Sequence, residues 1–210
     1  MLTRLAACFV SFGLLSNVAA AGFAQAPQME ARVALPIRVA PDRAELRKAL
    51  EQRRAKNLAA FRAYRKAGVY PHNTYRFGPL NIWVDADGHL CAAATLIAKD
   101  GKRKLVDEQA GVDNQVRLMN VTKGPLLDWI LTSGFTIEEI DRIQAPMVYP
   151  GGGIEPELPR DFTAVDAELK AGYARTDAYL VKHAKKGIDT ALDRLMANPV
   201  LAQKLVDGTL

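Results

Sequence analysis

The sequence has few of the residues on which catalytic and metal sites are commonly built. Its 210 residues include two cysteines and three histidines. After residue 26 it has one cysteine, Cys91, and one serine, Ser133. Ser133 lies outside any Gly-x-Ser-x-Gly pattern, which argues against a serine hydrolase. The sequence has no Cys-x-x-Cys or His-Glu-x-x-His spacing for zinc and no glycine-rich nucleotide-binding pattern. We therefore expect neither a metal nor a cofactor.

Long apolar runs are absent except at the N-terminus. One positive residue, Arg4, precedes Leu5 to Ala26, a stretch without charge that is interrupted by polar residues and ends in small ones. This pattern predicts a signal peptide over residues 1–26, and hence an exported protein, either periplasmic or secreted. Three cleavage points stay open, after Ala20, Ala21 or Ala26.

Internal disulfides are excluded once a signal peptide is removed, because Cys91 is then the one cysteine left. A free thiol in an oxidising compartment is either buried or reactive. The composition, 49% hydrophobic and 24% charged, is typical of a soluble globular protein with a substantial core.

Proline and glycine divide the rest of the chain into segments. We predict an extended arm over 27–41, a globular domain over 42–146, a Pro/Gly linker over 147–160 and a helical segment over 161–210. The expected fold is mainly α with a small β component (α+β). It would contain a long basic helix, a short strand and turn, several short helices and a C-terminal tail of one or two helices.

The globular domain opens with a long helix. Asp42 suits an N-cap and Gly68 a C-terminal stop, so Arg43 to Ala67 should be helical. Two polar residues, Arg54 and Asn57, share one face of this helix with four apolar ones. The apolar residues are Leu46, Leu50, Phe61 and Tyr64.

The same helix is strongly basic. Between Asp42 and Lys66, nine lysine and arginine residues stand against three acidic ones, a local charge of +6. A helix face with this charge could bind nucleic acid or an anionic membrane surface, or it could be an ordinary solvated face. An exported chain seldom meets nucleic acid, so we expect no nucleic-acid partner. An anionic membrane surface stays open for the basic helix Arg43 to Lys66.

Shorter elements are predicted along the rest of the domain. They are a strand at Leu80 to Val84, a turn at Asp85 to Gly88, a short helix after Cys91, a strand at Val116 to Val121, and helices at Leu126 to Thr132 and Ile137 to Gln144. Thr136 and Glu139 have the spacing of a capping box for the last helix. A second hairpin strand is the alternative to the helix after Cys91.

Cys91 supports the sharpest hypothesis about activity. At a helix start the free amide groups favour a thiolate, and His89 or His72 could act as its base, oriented by Asp85 or Asp87. This arrangement would make a cysteine-dependent hydrolase or transferase with Cys91 and His89 as catalytic residues. The alternative is a buried structural cysteine among small residues. The two aspartates are interpreted as an ordinary acidic turn, since their spacing does not fit a calcium loop.

Arg54, Asn57 and Asn114 form a predicted structural polar cluster. Polar side chains within an apolar helix face usually bond to the backbone of an adjoining loop, which we expect to be Tyr70 to Pro79. The alternative for Arg54 and Asn57 is a pair that binds an anion or orients a ligand.

Several motifs between Arg54 and Gln144 point to a family. They include Asn57-Leu58, Tyr70-Pro71-x-Asn73, Val84-Asp85-x-Asp87-Gly88-x-x-Cys91-Ala92-x-Ala94-x-Leu96 and Trp129-x-x-x-Ser133-Gly134-Phe135-Thr136-x-Glu138-Glu139. In these motifs the chain resembles a group of exported bacterial proteins of uncharacterised activity. Where those proteins tend to have Cys-Ala-Val-Gly, this chain has Cys-Ala-Ala-Ala. The resemblance implies export but no particular reaction or ligand.

Two functions follow from these observations. The first is an exported non-enzymatic module that binds a protein or small-molecule partner, or that has a structural role in the envelope. The second is the cysteine-dependent hydrolase or transferase that uses Cys91.

Overall fold

The described part of the chain is built almost entirely from helices. A computed structural model describes residues 41–148 and 161–210. In chain order, these residues form α1 (Arg43–Ala67), β1 (Pro79–Leu80), α2 (Ala92–Lys99), α3 (Arg103–Val112), a 3-10 turn (Leu118–Asn120), α4 (Pro125–Thr132), α5 (Ile137–Ile143), β2 (Met147–Val148), α6 (Thr163–Lys182), α7 (Ala184–Met196) and α8 (Pro199–Val206). The expected fold, mainly α with a small β component, is confirmed.

Helix α1 begins and ends at the predicted residues. The Asp42 carboxylate accepts hydrogen bonds from the N–H groups of Ala44 and Glu45, at 2.6 and 3.1 Å, and so satisfies two of the free donors of the first turn. Gly68 ends the helix in the left-handed region, with φ at 66°. The buried face contains the six expected residues, Leu46, Leu50, Arg54, Asn57, Phe61 and Tyr64.

Two apolar cores pack against the two ends of α1. The core at its C-terminal end gathers Phe61 and Tyr64 with both tryptophans and with α2. The core at its N-terminal end gathers Leu46 and Leu50 with α7 and α8. The polar residues of the same helix face therefore lie between two apolar cores, where each buried polar group needs a partner.

The C-terminal tail belongs to the same compact unit as the helices before it. It contains three helices instead of the predicted one or two, because the chain turns at His183 and again at Asn198, whose side chain caps α8 by accepting from the Leu201 N–H. All three tail helices contact α1. The tail therefore covers the long helix and completes its second core.

The strand predicted at Leu80 to Val84 is wrong in length. β1 pairs with β2 through Leu80 opposite Met147, and the pairing stops there. Val84 makes only an isolated bridge with Leu90, which closes the predicted acidic turn as a small hairpin.

Asn114 is the physical reason for this interruption. Its side chain accepts from the Val84 N–H at 3.0 Å and donates to the Val84 carbonyl at 2.8 Å, while its own carbonyl accepts from the Trp83 N–H at 2.8 Å. Asn114 therefore satisfies both backbone groups of Val84 and the N–H of Trp83, while the Trp83 carbonyl accepts from the Cys91 N–H at 3.0 Å.

The strand predicted at Val116 to Val121 is also wrong, since this segment contains the 3-10 turn. The Gln144 side chain donates to the Val116 carbonyl at 2.7 Å and accepts from the Leu118 N–H at 2.8 Å. A second amide side chain thus replaces a strand as the backbone's partner.

Residues 1–40 and 149–160 lie outside the described residues. The signal peptide over 1–26, nearly all of the arm over 27–41 and most of the linker over 147–160 therefore stay predictions, although the first two linker residues belong to β2. Among the described residues, none of the helices has both the length and the apolar content that crossing a membrane requires.

Candidate functional site

Arg54 and Glu139 form a buried ion pair where α1, α5 and α6 meet. Nη1 of Arg54 lies 2.7 Å from Oε2 of Glu139, and Nη2 lies 2.7 Å from Oε1, so the pair is bidentate. Nη1 also donates to the carbonyl of Gly134 at 3.0 Å, and Nη2 to that of Leu180 at 2.8 Å. Arg54 is 5% and Glu139 2% exposed, so the pair has little access to solvent.

Glu139 also completes the capping box of α5, whose N-cap is Thr136. Its Oε2 accepts from the Thr136 N–H at 2.9 Å, and the Thr136 hydroxyl accepts from the Glu139 N–H at 3.2 Å. The predicted capping box is confirmed. The same carboxylate therefore both caps a helix and neutralises a buried guanidinium.

The corner between α4 and α5 lies directly on the backbone of α1. The Asn57 side chain donates to the Ser133 carbonyl at 2.8 Å. A Cβ atom at Gly134 would lie 2.5 Å from the Leu50 carbonyl oxygen and 2.6 Å from the Arg54 nitrogen, so only glycine permits this approach. Asn57 thus bonds to a loop backbone, as expected of a structural residue, but to this corner and not to the Tyr70 to Pro79 loop.

The tail approaches the same point from the other side. The Leu180 carbonyl accepts from Arg54, and a Cβ atom at Gly187 would lie 2.8 Å from Oε1 of Glu139. We use the name polar hub for Arg54, Asn57 and Glu139 together with the backbone groups that they bind. The polar hub joins α1, the α4–α5 corner and the tail.

The structure does not bring Asn114 to the polar hub. Its side-chain hydrogen bonds go to Val84, as described above, whereas Arg54 and Asn57 both bind the segment Ser133-Gly134. The predicted polar cluster is therefore two separate structural groups, one at the polar hub and one at the hairpin that precedes Cys91.

Cys91 lies at the first turn of α2, but inside the core. The helix predicted after Cys91 is confirmed, and Cys91 is its N-cap, with Sγ accepting from the Ala94 N–H at 3.4 Å. The residue is 1% exposed. Burial raises the pKa of the thiol to about 12, because the cost of desolvating a thiolate exceeds the stabilisation from the helix N–H groups. This burial agrees with the alternative of a structural cysteine among small residues.

The hydrogen bonds of the two candidate bases lead to carboxylates. Nδ1 of His89 lies 3.1 Å from Oδ2 of Asp85, and Nε2 of His72 lies 3.3 Å from both oxygens of Asp166. The His72 ring also stacks on Phe162, with 3.9 Å between ring centroids. In the described parts of the chain, no hydrogen bond connects either histidine to Cys91.

Asp85, Asp87 and His89 could in principle hold a cation, since one ligand atom of each lies within 4.8 Å of the others. The Asp85 carboxylate is already occupied, however. It accepts from the backbone N–H groups of Asp87, His89 and His72, at 3.0, 2.8 and 3.2 Å. These bonds fix the backbone conformation of the acidic turn.

The positive charge of α1 is largely paired within the chain. Seven of its nine cations form ion pairs with acids outside the helix: Arg43 with Asp193, Arg47 with Asp189, Arg53 and Lys56 with Asp100, Arg54 with Glu139, and Arg62 and Arg65 with Asp177. Four of the seven bind acids of the tail. An anionic membrane would therefore have to compete with the chain's own carboxylates for this helix.

Comparison with protein-family models, with curated proteins and with solved structures finds no match to this chain. The resemblance noted in the sequence stays a prediction. What the chain does has to be inferred from the geometry of its own residues.

Proposed function

We propose that the protein is an exported, non-enzymatic module that binds a protein or small-molecule partner, and that the polar residues of its motifs hold the fold together. The observation that carries this proposal is the polar hub. Both Nη atoms of Arg54 and both Oε atoms of Glu139 form hydrogen bonds to the other member of the pair or to backbone groups. An anion-binding or ligand-orienting pair would instead keep donors free toward an open site.

The state of Cys91 supports the same proposal. A nucleophilic cysteine needs a thiolate that a substrate can reach. With an exposure of 1% and a pKa of about 12, Cys91 is protonated and covered at neutral pH. His89 is held by Asp85 in a partly exposed position. The cysteine-dependent enzyme would need the core around α2 to open before each reaction.

Thiol alkylation separates the two functions. We expect Cys91 in the full chain, with Cys8 replaced by serine so that one thiol is left, to react very slowly with iodoacetamide across pH 5 to 9. The reason is that the reagent reaches the thiol only when the core opens. The same variant in urea provides the control, because its thiol should then react at the rate of a free cysteine.

Rapid labelling of the native protein, with an apparent pKa well below the free-thiol value of about 8.5, would contradict the proposal and support the enzyme. In that case a His89→Ala variant should slow the labelling, since His89 is the predicted base. Labelling that is fast only under unfolding conditions leaves the non-enzymatic module as the function.

A further inference from the structure

A cavity of about 360 Å³ lies between α3, α4 and α8. Its apolar wall comes from one residue or more of each helix, including Leu105, Trp129 and Leu201. The last two residues of the chain also line it, and Thr209 is held there because its N–H and hydroxyl both bond to the Lys204 carbonyl. A cavity of this volume suits a small ligand.

Trp129, which lines this cavity, differs from the other tryptophan in its indole N–H. The chain has two tryptophans, and both are nearly fully buried. The indole Nε1–H of Trp83 donates to the Val106 carbonyl at 3.0 Å. The Nε1–H of Trp129 is instead one of two buried side-chain polar atoms in the described residues that have no hydrogen-bond partner, the other being the Tyr173 hydroxyl. Because this nitrogen has almost no accessible surface, Trp129 offers the cavity its apolar ring and not a hydrogen-bond donor.

Three lysines converge on the same cavity from different elements. Lys102 precedes α3, Lys104 lies in α3 and Lys204 lies in α8. Two acidic side chains also line the cavity, Glu108 and Asp128, so the side chains of the lining carry a net charge of +1. Glu108 pairs with Lys104 at 3.6 Å, whereas Lys102 and Lys204 form no ion pair with any described residue. This contrasts with α1, where most cations are paired.

We propose that this cavity binds a small amphiphilic carboxylate, with its alkyl chain against the Trp129 wall and its charged end toward Lys102 and Lys204. The apolar wall and the unpaired cations together define this class of ligand, since a neutral alkyl chain would use only the wall and a free inorganic anion only the lysines. The inference rests on the proposed binding function and names its ligand class.

The experiment uses decanoate as the probe, with decanol as the neutral match. We expect calorimetry on the full chain at neutral pH to detect decanoate binding that is at least about tenfold tighter than decanol binding, because charge-assisted hydrogen bonds contribute more than neutral contacts. A Lys102→Gln/Lys204→Gln variant should lose most of this difference. Lys170→Gln, on the exposed face of α6, is the matched control and should bind like the original chain.

Three further variants sharpen the assignment. Asp128→Asn removes a negative charge from the lining, so decanoate should bind several-fold more tightly and decanol equally well. In a Trp83→Phe variant the remaining tryptophan fluorescence comes from Trp129 and should change on binding, whereas in a Trp129→Phe variant the Trp83 emission should stay constant. If Trp83→Phe fails to fold, calorimetry of the charge variants decides the matter.

Equal affinities for decanoate and decanol, or no effect of the double lysine replacement, would overturn the proposal. Stronger loss from Lys170→Gln than from the cavity variants would also overturn it. These outcomes leave the thiol-labelling result unchanged, so a failed ligand assignment can be told apart from a failed non-enzymatic module.

Discussion

Replacing Arg54 by methionine is expected to lower the free energy of unfolding by about 3–5 kcal/mol, the usual cost of breaking a buried ion pair by removing one partner. The replacement leaves the Glu139 carboxylate 2% exposed without its counter-charge. It also leaves the carbonyls of Gly134 and Leu180 without the donors that they have in the native structure. Urea unfolding followed by circular dichroism measures the change.

The matched control is Arg43→Met on the same helix. Arg43 pairs with Asp193, and both side chains are more than half exposed, so this replacement should change the stability by less than about 1 kcal/mol. Similar losses of stability from the two replacements would show that the buried ion pair of Arg54 contributes no more than the exposed one of Arg43. A typical domain has only about 5–15 kcal/mol of stability, so the expected difference between them is easy to detect.

Replacing Gly134 by alanine should have the second largest effect, a loss of about 2–5 kcal/mol. A side chain at φ 80° costs about 1–2 kcal/mol by itself. The added Cβ would also lie 2.5 Å from the Leu50 carbonyl oxygen, a backbone atom that can move only if α1 moves. Overpacking of this kind adds about 1–3 kcal/mol.

Gly101→Ala separates the two causes. Gly101 has a similar φ, 85°, but a Cβ atom there would meet nothing within 4 Å. We therefore expect only the backbone cost of about 1–2 kcal/mol. If both variants lost the same amount in thermal and urea unfolding, the close approach of the α4–α5 corner to α1 would be contradicted.

Local signals in the sequence predicted the helices well. Asp42 and Gly68 mark the ends of α1, and the Thr136–Glu139 spacing marks the start of α5, because capping depends on residues within one turn of the helix end. The buried stripe of α1 also follows from local periodicity. These features need no knowledge of distant parts of the chain.

The strand predictions at Leu80 to Val84 and Val116 to Val121 failed because backbone groups of these segments bond to side chains from far along the chain. Asn114 lies 30 residues from Val84, and Gln144 lies 28 from Val116. An alternating apolar pattern predicts a strand whether its hydrogen bonds go to a neighbouring strand or to an amide side chain. Asparagine and glutamine carry both a donor and an acceptor, so they can satisfy a peptide group by themselves.

For the candidate site, the sequence predicted which polar residues of α1 are buried but not which groups they bind. The polar residues Arg54 and Asn57 were visible within the apolar stripe, but the partner of Arg54, Glu139, is 85 residues away and already explained as a cap. For Cys91, the sequence predicted the helix start and offered burial among small residues as one alternative. Which of the two determines the thiol pKa depends on the packing of the whole core.

The coupling free energy between Arg54 and Glu139 is the most direct test of the polar hub as a structural device. It is obtained from the unfolding free energies of the original chain, Arg54→Met, Glu139→Leu and the double variant. We expect a coupling of at least about 2 kcal/mol, with the double variant more stable than either single one, because no buried charge is then left unpaired. Additive effects with a coupling near zero, or single variants as stable as the original chain, would contradict the account.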